Sequence, residues 1–258
     1  RESSRVFAGV DPVVEPIPVF PTAHYVMGGI PTDRYGRVVI PVEKGPEEVI
    51  PGFYAAGECA CVSVHGANRL GGNSLLDILV FGRAAGQNII DFVKENPNHR
   101  PMNESSVERA VARFTRWDQK GDGASVGEVR DEFRKVMEDH AGVFRTDEIM
   151  TEGVAKVKAI REQMQDVRLQ DHSKVFNTAR VEAMELENLV DVGMAIVLSA
   201  LGRKESRGAH SRPDHPARDD QNWLKHSLYF QEADRMDYKP VHSKPLTVET
   251  FPPKERVY

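Results

Sequence analysis

The sequence predicts an α/β segment followed by an α-helical bundle and an extended tail, and three observations carry that reading. Up to Pro97, Gly and Pro punctuate short β-rich runs; beyond it, apolar residues recur at spacings of three and four; from Arg212 the periodicity ends while Pro213, Pro216, Pro240 and Pro245 recur.

The opening segment to Pro21 alternates Val and Pro, offers few long elements, and reads as the end of something upstream. Strands are expected over Arg37 to Val42 and Gly52 to Ala56, with turns at Tyr35-Gly36 and Pro51-Gly52. A helix is expected to begin at Asn73 and Ser74, which resemble an N-terminal cap, and to continue through Leu75, Ile78, Leu79 and Phe81. Gly82 and Gly86 on that helix would allow close packing against neighbouring backbone. Val107, Ala110, Val111, Phe114 and Trp117 form one helical face, and Val126, Val129, Phe133, Val136 and Met137 a second. The loop Lys120 to Ser125 separates them, so the two helices should form a hairpin. Val154, Val157, Ile160 and Met164 mark a third helix, and Val181, Met184, Leu189, Val192, Ile196 and Leu201 a fourth. Together these faces would bury a bundle core. After Arg212 a meandering tail with a short strand or two is expected.

Composition narrows the function. The 258 residues suffice for one large domain or two modest ones, and 34 Lys+Arg against 39 Asp+Glu argue against a strongly basic nucleic-acid binder. Cys59 and Cys61 stand one residue apart, too close for an ordinary disulfide, and fit a reducing compartment. No apolar run reaches the roughly 18 residues a spanning helix needs. The chain starts Arg1-Glu2-Ser3-Ser4, with neither an initiator methionine nor a signal-peptide pattern, and is read as a piece of a longer protein.

The chemistry concentrates between Gly57 and Asp77. Gly57 lets backbone approach a ligand closely, and Glu58 can accept hydrogen bonds from ligand hydroxyls. Gly71 and Gly72 permit a tight turn, and the amides of the helix beginning after them favour an anion or a ring carbonyl. Arg69, between strand and helix, offers a planar fork for a carboxylate. His24, in Pro21-Thr22-Ala23-His24-Tyr25-Val26-Met27-Gly28-Gly29, supplies a second donor beside paired glycines that suggest backbone near a ligand. Other chemistries lack their patterns: no Gly-x-Gly-x-x-Gly, phosphate-loop lysine or Gly-x-Ser-x-Gly occurs. The cysteines lack partners for zinc or iron–sulfur ligation. Val129 stands where a calcium loop around Asp118, Lys120 and Asp122 needs its final Glu. His210, His215 and His226 match no metal signature and read as surface or packing residues.

Several of these segments together resemble the bacterial succinate dehydrogenase flavoprotein subunit, within the fumarate reductase and succinate dehydrogenase FAD-dependent family. They are His24-Tyr25-Val26-Met27-Gly28-Gly29, Ala56-Gly57-Glu58, His65 through Leu75, Glu205 through Arg212, and the ending Phe251 through Tyr258. The resemblance covers essentially the whole chain and corresponds to the family's C-terminal half. It implies the end of a capping domain over 1–24, the C-terminal part of a Rossmann-like FAD-binding domain over 25–97, a helical domain over 98–210, and an extended tail over 211–258. It further implies that His24 and Arg69 bind the carboxylates of succinate or fumarate, that Glu58 contacts the FAD ribityl chain, and that Ser74 and Leu75 lie beside the flavin ring.

The family reaction moves a hydride equivalent between dicarboxylate and flavin and passes electrons through an iron–sulfur subunit and membrane anchor to quinone. The family's proton-shuttling arginine and FAD-attaching histidine find no match in these residues, so the isolated piece is expected to be inactive. The resemblance places the protein peripherally on the cytoplasmic side of the bacterial inner membrane, held by complex partners, with no metal or nucleic acid of its own. Fumarate reductase and L-aspartate oxidase share much of such a site, and an inactive assembly scaffold is the competing reading of another class.

Overall fold

The computed structural model describes residues 1–19, 26–41, 47–118, 122–252 and 254. An opening helix, α1 (Glu2–Ala8), precedes four short strands: β1 (Ile30–Pro31), β2 (Arg37–Ile40), β3 (Glu48–Tyr54) and β4 (Ala60–Cys61). β2 and β3 pair antiparallel, with Val39 opposite Val49, whereas β1 and β4 pair parallel, with Ile30 opposite Ala60. The first expected strand ends at Ile40, before Pro41, and the last residue expected in it, Val42, lies outside the described residues. The second begins earlier than expected, at Glu48.

The long helix α2 (Asn73–Glu95) crosses this layer. Its N-cap is Gly72 in the left-handed region at φ 82°, and no side chain caps it, so Asn73 is already helical rather than capping. Tyr54 donates to Asn88 Oδ1 at 2.9 Å and meets Phe92 edge to face, which fixes the β2–β3 hairpin on α2. Gly36 is needed for that approach: a Cβ there would stand 2.7 Å from the Ala85 Cβ. Gly82 and Gly86 do not serve close packing, since a Cβ at either would meet open space among the described residues.

Three helices build the main core. α4 (Val126–Ala141) starts with a capping box in which Ser125 and Glu128 exchange hydrogen bonds. α5 (Asp147–Gln163) starts at Thr146, whose hydroxyl accepts from Ile149 N, and α6 (Thr178–Gly202) at Asn177, which accepts from Arg180 N. Val129, Phe133 and Val136 from α4, Val157 and Ile160 from α5, and Leu186, Val190, Met194 and Val197 from α6 are buried together. Burying each such side chain contributes about 1.5–3 kcal/mol.

Two expected faces differ. On α3 (Glu104–Thr115) no residue is buried; Val111 and Phe114 are about half exposed, and only Trp117, in the 3-10 turn that follows, enters the core. The α3–α4 hairpin core is therefore replaced by packing among α4, α5 and α6. On α6 the face named by Val181, Leu189 and Val192 points outward, and the core side is Ala183, Leu186, Val190, Met194 and Val197. A helix apolar over most of its circumference leaves its buried side to its neighbours. The tail is also more ordered than expected. α7 (Asp220–Trp223) leads into an antiparallel hairpin of β5 (Lys225–Phe230) and β6 (Arg235–Pro240), which packs on α6.

Candidate functional site

Residues 57–77 run from the end of the β3 turn into α2. Gly57 is buried at φ 81°, where a side chain would be strained, and a Cβ would crowd Ile78 on α2 at 3.2 Å. Its freedom thus serves packing on the helix as well as the turn closed by Ala60 N donating to Gly57 O. Glu58 follows, exposed, and Ser74 Oγ donates to Glu58 Oε1 at 3.4 Å. This contact joins two of the sequence-predicted cofactor residues at the first turn of α2. The third, Leu75, is 64% exposed on that same turn, an apolar surface beside a carboxylate and uncapped helix amides. An exposed acceptor, a hydroxyl and an apolar flank at a helix start without a side-chain cap suit a ligand that combines hydroxyls with an apolar or ring portion.

Arg69 is half-buried in the loop between β4 and α2. Two turns shape that loop: Asn68 N donates to His65 O, and Asn73 N to Leu70 O. Ser63 at its start holds φ 72°, an uncommon conformation for a residue with a side chain. His65 Nε2 donates to Oδ2 of buried Asp77 at 2.8 Å, tying the loop to α2. Neither residue of this pair stood out as a site candidate, because nothing local in the sequence says that they meet.

His24 lies outside the described residues. Of the glycines after it, Gly29 has an internal use: Ile30 N donates to Cys59 O, and a Cβ on Gly29 would lie 2.5 Å from that oxygen. The close approach expected there is to the protein's own strand. Cys59 and Cys61 are free thiols, the first exposed.

The segment after α6 folds onto the arginine loop. Arg207 and His210 bridge across a two-residue turn whose first residue, Gly208, has φ 58°, and Ala209 N donates to Ala67 O at 3.0 Å. The turn rests on fully buried charges. Glu205 accepts from Arg203, from Arg207 and from Asp219 N, while Arg212 donates to Asp147, Asp214 and the carbonyls of Ala200 and Arg203. Both are 0% exposed, so their partners satisfy groups that would otherwise be very costly to bury. Hydrogen bonding from Arg212 holds the Asp214 carboxyl well below the usual carboxylate range. Burial first, then neighbouring arginines, depress the His210 imidazole to about 4. Arg145 donates to its Nδ1 and its Nε2 donates to Arg203 O, the neutral form.

Of the histidines read as surface or packing residues, His210 packs in this way. His226 is half-buried on β5, and His215 stands with Asp147 and Asp214 in a group of ligand-type atoms within 4.8 Å of one another. Arg212 and Lys204 pair with the same carboxylates, which are thereby already neutralised.

A family model for the fumarate reductase flavoprotein C-terminus matches residues 130–258, and one for an FAD-binding domain matches residues 1–75. The chain belongs to the succinate dehydrogenase and fumarate reductase flavoprotein family. FAD is the cofactor of this domain. It is 48% identical over 99% of its length to the succinate dehydrogenase flavoprotein subunit of Coxiella burnetii, and 40% identical over its full length to the fumarate reductase flavoprotein subunit of Mycobacterium tuberculosis. It spans 43% of the length of each. Among solved structures, E. coli quinol fumarate reductase superposes over the full chain and 42% of its own chain, with a TM-score of 0.82 at 39% identity. Among the described residues no helix is long and apolar enough to cross a membrane.

Proposed function

We propose that this chain forms one side of the FAD and dicarboxylate site of a succinate dehydrogenase flavoprotein, which oxidises succinate to fumarate and delivers electrons through an iron–sulfur subunit to quinone. The observation that carries this reading is the grouping of Glu58, Ser74 and Leu75 at the uncapped start of α2, with Arg69 on the loop leading into it. Bound FAD supplies the hydride acceptor.

The protein's own residues do the holding. Arg69 clamps one substrate carboxylate through charge-assisted bonds, and His24 donates to the other. Holding both ends fixes the reacting carbons, which turns binding into alignment. Glu58 accepts from ribityl hydroxyls, its orientation set by Ser74, while Leu75 and the first amides of α2 face the ring. A peripheral position on the cytoplasmic side of the inner membrane, through an iron–sulfur subunit and anchor subunits, completes the reading. The likeness to quinol fumarate reductase supports the reverse direction as the second reading, since the same clamp holds either dicarboxylate.

In the intact flavoprotein subunit, Arg69→Ala is expected to lower succinate turnover by about 100-fold or more. Near-wild-type turnover with correctly loaded flavin refutes the assignment. His24→Ala is expected to raise the succinate KM, and unchanged affinity and rate count against its role. An absorption spectrum of the natural protein, with its intact mass, separates an enzyme from an inactive scaffold, which would carry no flavin.

A further inference from the structure

The turn at Gly208 grips the backbone of the arginine loop from the segment following the helical bundle, and its geometry leaves no slack. Ala209 N donates to Ala67 O at 3.0 Å, and a Cβ added to Gly208 would stand 2.5 Å from that same oxygen and 2.6 Å from its carbonyl carbon. Gly208 also holds φ 58° at the first central position of a two-residue turn, where glycine is the favoured residue. Behind the turn, Ser206 Oγ accepts from Arg212 N at 2.8 Å, and the buried Glu205 and Arg212 anchor both arms. The gripped carbonyl lies two residues before Arg69, and on its other side the loop is pinned to α2 by His65 and Asp77.

We propose that Gly208 is a positioning residue for Arg69: the turn clamps the Ala67 carbonyl from the helical side and thereby sets the orientation of the guanidinium toward its carboxylate. The inference rests on the assignment of Arg69 to a substrate carboxylate. A loop held only by its own two turns would let the arginine sample several directions. Clamped at Ala67 and at His65, it presents its fork in one, which saves ordering on binding. The exposed position of Gly208, away from any apolar core, separates this role from ordinary packing.

The test uses the intact, flavin-loaded flavoprotein and malonate, a dicarboxylate whose single methylene cannot be desaturated, with its Kd read from the flavin absorbance. Gly208→Ala is expected to raise the malonate Kd about tenfold. Amide exchange across residues 65–72 should quicken, while flavin content per folded protein and exchange in α4, α5 and α6 stay unchanged. Ser206→Ala, which loosens the turn from within its own arm without touching the loop, is expected to raise the Kd about threefold, and it decides the matter if Gly208→Ala does not fold. Wild-type malonate affinity in the folded, loaded variants overturns the positioning role, even if their unfolding midpoints fall. Arg69→Ala is measured alongside: wild-type malonate binding there overturns the carboxylate assignment itself, whereas weakened binding there with normal Gly208 and Ser206 variants overturns the positioning role alone.

Discussion

His65 Nε2 donates to Oδ2 of Asp77 across 2.8 Å, with the carboxylate buried on the second turn of α2 and the imidazole on the loop that carries Arg69. The contact makes the helix a fixed reference for the loop. Asp77→Ala in the intact flavoprotein removes a hydrogen-bond acceptor from a half-buried ring and is expected to cost about 1–3 kcal/mol in stability. Urea unfolding checks the number, and a change below 0.5 kcal/mol would show the contact to be incidental.

Glu58 sits exposed, and Ser74 Oγ donates to it only across 3.4 Å, so its carboxylate remains able to accept from a ligand. Glu58→Ala is expected to weaken FAD retention about tenfold or more, the value of one or two charge-assisted bonds. Titration of flavin-depleted protein with FAD measures it, and equal retention would remove Glu58 from the cofactor site.

Arg212 is fully buried and reaches Asp147 and Asp214 together, so truncation strips two carboxylates of a shared cation and opens a cavity. Arg212→Ala is expected to destabilise by about 3 kcal/mol or more. Calorimetry of the intact protein reads the loss, and a midpoint within a degree of wild type would contradict it.

His210 is neutral in the folded protein because burial and the Arg145, Arg203 and Arg212 guanidiniums oppose its charge, with its imidazole lowered from 6.5 to about 4. Between these values the unfolded chain binds a proton that the folded chain does not, so stability rises with pH across the window and is lost as pH falls through it. Below about 4 the term is flat. His210→Gln should flatten this part of the acid limb, and unfolding midpoints at about pH 6.5 and about pH 4.5 compare the two. Parallel pH profiles would exclude the histidine as the source.

Gly193 on α6 faces the Phe133 ring, where a new Cβ would come within 2.6 Å of Cζ and 2.8 Å of Cε2. Gly193→Ala gains about 1 kcal/mol of helix propensity yet forces the ring out of place, at about 1–3 kcal/mol. Net destabilisation is expected, with partial rescue by Phe133→Leu. A stabilised single variant would show that the α4–α6 contact yields freely.

Much of this was legible beforehand because it is local. The early strands, the α4 and α5 faces and the helix start after Gly72 all depend on residues within a few positions of one another. The exposed α3 face and part of the α6 face were not: α3 carries one apolar face that the described residues leave largely uncovered, and α6 is apolar over most of its circumference, so burial is settled by what packs there. The tail hairpin was underestimated because prolines flank rather than interrupt it: Pro240 closes β6, and Pro213 and Pro216 precede α7.

The sequence by itself determined the family, its cofactor and the segment that carries the candidate chemistry, since these reside in residue types at fixed short spacings. The tertiary structure decided which faces the bundle buries, that Gly29 approaches strand backbone, that His65 pairs with Asp77, and that the Gly208 turn grips Ala67. Each of those joins elements distant along the chain. No local periodicity encodes such a meeting; it arises only when buried apolar faces and paired charges bring the elements into register.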